Sequence, residues 1–210
     1  MSRHFIFNVL LLSACIGALH IYDLNHRNEL TIERAVAPLE HLSNARHAIN
    51  DRNVNKSIEE IDHAITAMRI IKKFADTTAA AHVSDAINDL KLVENEIEND
   101  SVVIADLNNA FFNALNSIAL ANLTISEANL AHGSKYKAMN LVNASFRELI
   151  SSMKFANTEE QKKQEEKVIA DVRDFLQQLK DANYHDDLHN EEKLLHKYDT
   201  LSEEVEELIH

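Results

Sequence analysis

Apolar residues recur along this chain at spacings of three and four, in one segment after another, and no segment alternates as a strand would. Such spacing is the signature of amphipathic helices, each with one face turned toward a core. Ile58, Ile61, Ile65 and Met68 form one stripe, which ends near the polar break Asp76-Thr77-Thr78. Val83, Ile87, Leu90 and Ile97 form the next, and Ile104, Leu107, Phe111, Leu115 and Ile118 continue into a long helix that Gly133 should terminate. Ser134 offers a cap to the helix carrying Val142, Phe146, Leu149 and Met153. Thr158 offers one to the charged stretch Glu159 to Lys167, a solvated helix start that leads into Val172, Phe175, Leu176 and Leu179. The last helix carries Leu188, Leu195, Tyr198, Leu201, Val205 and Leu208. Pro38 falls inside the first helix of the body and should kink or split it near Ala37.

Polar turns at Ala48 to Ser57, Ala131 to Ala138 and Leu179 to Leu188 read as the bends of αα-hairpins. The fold class predicted is therefore all-α, an antiparallel helical bundle of αα-hairpins over residues 23–210, after an N-terminal apolar export or anchor segment over residues 1–22. Composition agrees. Two glycines and one proline in 210 residues are too few for a fold rich in tight β-turns.

The N-terminal segment pairs a short basic start at Arg3 with an apolar run from Phe5 to Tyr22, which reads as an export signal. Three fates are open: cleavage after Ala18, retention as a signal anchor, or lipidation of Cys15, since Leu12-Ser13-Ala14-Cys15 resembles the bacterial lipobox. Each places the body on the periplasmic side of a bacterial cell envelope, free or anchored to the inner membrane. Cys15 is the only cysteine, so the body has neither a disulfide nor a thiol site. The N-x-S/T matches at Asn55, Asn122 and Asn143 are what chance gives in an Asn-rich chain.

A net charge of −13 repels phosphate backbones and anionic headgroups, which argues against nucleic acid and against peripheral binding to acidic lipid. Membrane contact is left to the N-terminal segment. Proteins remain as partners, including further copies of this chain, together with cations. Catalytic signatures are missing: there is no G-x-S-x-G, no H-E-x-x-H and no glycine-rich phosphate loop. No catalytic residue and no cofactor is expected, and a non-enzymatic role follows. A haem has no C-x-x-C-H attachment motif, and a di-iron centre needs Glu-x-x-His motifs facing inward from paired helices, a requirement that the spacing of Glu60 to His63 does not meet by itself.

The twelve histidines are the one oddity. His185 and His189 are four apart, and His196 would share their face on a continuous helix, with Asp186 and Glu192 nearby. Imidazoles one turn apart can converge on zinc, copper or nickel, so His185 and His189 are the candidate metal ligands. His41, His47 and His63 read as ordinary surface or boundary residues.

With its hairpin turn His132-Gly133-Ser134-Lys135-Tyr136-Lys137-Ala138 and its disulfide-free helical body, the chain resembles the YfdX family of bacterial periplasmic proteins from Leu39 to Tyr198. The resemblance implies a helical fold and stress-related, chaperone-like behaviour, with no catalytic residues to carry over. Two functions are thus expected: an adaptor or chaperone-like protein acting through protein–protein interaction, or a periplasmic metal or ligand sensor or buffer using the C-terminal histidines.

Overall fold

The chain divides into two units, Met1–Thr31 and Ile32–His210, and the second holds the helical body. The structure is a computed structural model that describes residues 30–182 and 188–209. Cys15 and the apolar segment lie outside the described residues. Among those described there are seven α-helices and no strand: α1 (Ile32–Asn50), α2 (Val54–Ile71), α3 (Thr77–Glu98), α4 (Ile104–Ala131), α5 (Lys135–Ser152), α6 (Glu159–Ala182) and α7 (Leu188–Glu206). A single 3-10 turn, Met153–Phe155, follows α5. The all-α expectation holds. No helix among the described residues is long and apolar enough to cross a membrane.

Helix α4 is the axis of the bundle. It touches α1, α2, α3, α5, α7 and the 3-10 turn, and residues 114–123 are buried without a break. A helix buried on every side needs apolar or small residues all round, and Ala114, Leu115, Ile118, Ala119, Leu120, Ala121 and Leu123 supply them. The outer helices instead bury one stripe each. That of α2 is Ile61, Ile65, Met68 and Ile71, and that of α3 is Val83, Ile87, Leu90, Val93 and Ile97. Among the side chains of α7 that are described, Leu194, Tyr198, Leu201 and Val205 are buried, so Leu194 takes the place expected of Leu195, which is half-buried.

Three helix ends close in the same way. Arg52, Asp100 and Gly133 adopt positive φ (56°, 52° and 74°). The next amide returns to the carbonyl five residues back: Asn53 to Ala48 at 2.8 Å, Ser101 to Glu96 at 2.9 Å and Ser134 to Asn129 at 2.8 Å. This wrap satisfies carbonyls that the helix end would leave without donors. Gly133 stops α4 as expected, whereas the other two ends use residues that meet the left-handed region with a Cβ. The break between α3 and α4 at Asp100 had no glycine to announce it.

Caps at the following starts vary. Asp76 accepts from the Ala79 amide at 2.8 Å and opens α3. Thr158 Oγ1 accepts from the Gln161 amide at 3.1 Å while Gln161 Oε1 accepts from the Thr158 amide at 3.1 Å, a reciprocal capping box at the start of α6. Ser134 occupies the cap position of α5, but its side chain makes no capping hydrogen bond. Pro38 does not split α1, which runs through it to Asn50 with the proline ring buried. One missing intrahelical bond is tolerated because α1 is held by packing against α2, α4 and α5.

The core also carries a polar seam. Asn122 Nδ2 donates to both carboxylate oxygens of Glu148, at 3.1 and 2.9 Å, between α4 and α5. Ser152 Oγ donates to Glu165 of α6. Ser126 Oγ donates to the Ala138 carbonyl at 2.7 Å and meets the hydroxyl of Tyr198. Glu148 and Glu165 have no solvent exposure. Burial drives the Glu148 carboxyl well above the usual carboxylate range against the pull of Asn122, and drives that of Glu165 up to about 7 against Ser152 and Asn116.

Candidate functional site

Two features converge on α1, one on each flank. The first is a groove of about 600 Å³ between α1, α5 and the 3-10 turn. Leu39 of α1 is its half-buried apolar wall, the buried Phe155 and Leu115 of α4 lie behind it, and Ser43, His47 and Ser151 are the polar residues that line it. Arg46 builds one end: its guanidinium lies 4.6 Å from the centroid of the Phe155 ring, and its Nη1 donates to the Lys154 carbonyl at 3.2 Å. Phe155 is in turn held edge-on by Phe111, at 5.3 Å between centroids. The groove is thus framed by fixed aromatic and guanidinium planes, and Glu40 and Lys154 give its mouth both signs of charge.

The second is a cluster of His41, Glu60 and His63 on the opposite flank, where α1 faces α2. Glu60 and His63 are three apart, on one face of α2. The bend near Arg52 sets His41 opposite His63, because each is eleven residues from it. His41 Nδ1 stands 2.8 Å from Glu60 Oε2, and the two imidazoles lie 5.1 Å apart, tilted by 57°. The His41 hydrogen bond holds the Glu60 carboxyl below its ordinary range, against desolvation; Asn44, through a long 3.5 Å hydrogen bond, and the charge of His63 add to this. Asn44 also lines the groove, so it belongs to both features.

Of the residues singled out from sequence, His185 lies outside the described residues, and His189 lies in α7 with its side chain outside them. His196 is exposed on α7, 3.8 Å from Asp199. The histidines that the fold does bring together, His41 and His63, read from sequence as ordinary surface or boundary residues, and by exposure they are such: His41 is half-buried and His63 exposed. The spacing Glu60-x-x-His63 was visible. Its meeting with His41 needed the Ala48–Ser57 bend to be used as a register, counting equal distances outward from it.

Compared with family models, curated proteins and solved structures, the chain matches none.

Proposed function

We propose that this chain is a non-enzymatic helical-bundle protein of the bacterial cell envelope that acts by binding other proteins, as an adaptor or chaperone-like factor. The observation that carries this reading is the groove between α1 and α5. It offers the half-buried Leu39, backed by the buried Phe155 and Leu115, and a mouth bearing Glu40, Arg46 and Lys154. Anchoring of one or two apolar side chains in a recess, with charge around the rim, is how helical surfaces recognise partner segments. The export reading of residues 5–22 and the resemblance to the YfdX family point the same way, toward a client met in the periplasm.

Filling the groove should remove the activity without disturbing the core. Ser43 is exposed on α1 and lines the groove, so Ser43→Trp places an indole in the recess. The chain should suppress light scattering by a heat-denatured client enzyme, and S43W should need at least about tenfold more protein for the same suppression, roughly 1.4 kcal/mol of binding. Equal suppression by both proteins, with equal thermal stability, would sink the groove as the binding surface.

A further inference from the structure

We propose that His41, Glu60 and His63 form a zinc site that clips α1 to α2, an assignment independent of the groove reading above. Among the described residues this is the one group of three or more His, Cys, Asp or Glu side chains placed to share an ion, with one donor atom from each lying within 4.8 Å of the others. Two imidazoles and a carboxylate are a donor set that suits zinc, and copper or nickel after it, while no thiolate is present in the body to favour softer ions.

Zinc holds such donors at about 2.0–2.2 Å, which places them roughly 3.3 Å apart in a tetrahedron. His41 and Glu60 already stand 2.8 Å apart. The closing movement falls to His63, whose side chain is exposed and free to turn about its χ angles. Glu60 is the rigid member, with a side-chain exposure of only 15%. In the metal-bound form His41 binds through Nδ1 as a neutral imidazole with its proton on Nε2, so the Nδ1 proton facing Glu60 moves to Nε2 through solvent, or is released to solvent where His41 started as the imidazolium.

Three protein donors leave one tetrahedral position open. That distinguishes this site from closed structural zinc sites and suits an ion exchanged with solvent or with a carrier. Because the donors come from both arms of a hairpin, the bound ion resists separation of α1 from α2. Zinc occupancy therefore also stabilises the fold, as any ligand specific to the native state must.

The test is calorimetric titration of zinc into the full chain, with four variants beside it. One zinc per chain should bind, His41→Ala, Glu60→Gln and His63→Ala should each weaken it at least about tenfold, and a His185→Ala/His189→Ala variant should bind as the parent does. Zinc should also raise the unfolding midpoint of the parent and not that of H63A, and should shield His41 and His63 from diethylpyrocarbonate as read by peptide mass spectrometry. Because His63 is exposed on a helix surface, H63A keeps the fold and the comparison stays interpretable. Absence of zinc binding by the parent overturns the proposal, as does binding that survives in H41A and H63A at the parent's strength.

Discussion

Taking this protein from pH 8 to pH 5 should stabilise it, against the usual expectation that acid loosens a fold. Glu165 has an unfolded-state value near 4.5 and a folded value of about 7, raised by burial. Its contribution is complete below the unfolded value, where the proton is bound in both states, and is lost as the pH rises through the folded value. Between pH 8 and pH 5 this one residue is worth roughly 2–3 kcal/mol, at about 1.4 kcal/mol per pH unit over the window in which the folded chain alone holds the proton. Glu148 is shifted in the same direction, again by burial first, and adds to the effect. Glu60 is shifted the other way. Its contribution, present above the unfolded value of 4.5, is lost only as the pH falls below the window considered, so it does not offset the others. The midpoint of thermal unfolding should be higher at pH 5 by about 5–10 °C, given roughly 2–4 °C per kcal/mol for a chain of this size. Glu165→Gln keeps an acceptor for Ser152 without the charge and should remove most of the Glu165 share of the slope. A midpoint that falls steadily from pH 8 to pH 5 would show that these carboxyls do not titrate as buried groups.

Tyr198→Ala should be the most damaging single truncation in the C-terminal helix, at about 3–5 kcal/mol. Tyr198 has no solvent exposure, packs edge-on against Phe175 with centroids 4.6 Å apart, and meets Ser126 with its hydroxyl. It thereby joins α7 to both α6 and α4. Since Ser126 donates to Ala138 of α5, the Tyr198 hydroxyl is the donor in its own bond to Ser126. Tyr198→Phe retains the ring contacts and loses that one bond, so it should cost only about 1 kcal/mol. Urea denaturation of the three proteins checks the order. A loss below about 1 kcal/mol for Y198A would mean that α7 is not seated on the core through this residue.

Much of the fold was legible because the signal was local. A stripe such as Ile61, Ile65 and Met68 is fixed by helical period, and the stop at Gly133 by the one residue type that enters positive φ without a Cβ. Asp100 takes the same conformation with an ordinary side chain, so its helix end left no comparable mark. The polar seam was hidden for another reason. Asn116, Asn122 and Glu148 look like surface residues in any short window; the all-round burial of α4 turns the two asparagines inward, and Glu148 on the facing side of α5 is buried against Asn122. The groove depends on Arg46 meeting Lys154, 108 residues away, a pairing that no pattern within one helix encodes. The His41–Glu60–His63 cluster stands between these cases, since a hairpin register counted from the bend near Arg52 would have reached it.

If recognition runs through the flank of α1 that faces α5, a bound client must cover the groove and leave the far helices as they are. Amide hydrogen exchange of the full chain, with and without a client protein, reads this directly, because each peptide reports its own opening equilibrium. Client binding should slow exchange in residues 39–50 and 151–155, with α6 and α7 unchanged. Protection confined to α6 and α7, or none at the groove under saturating client, would contradict recognition through that flank.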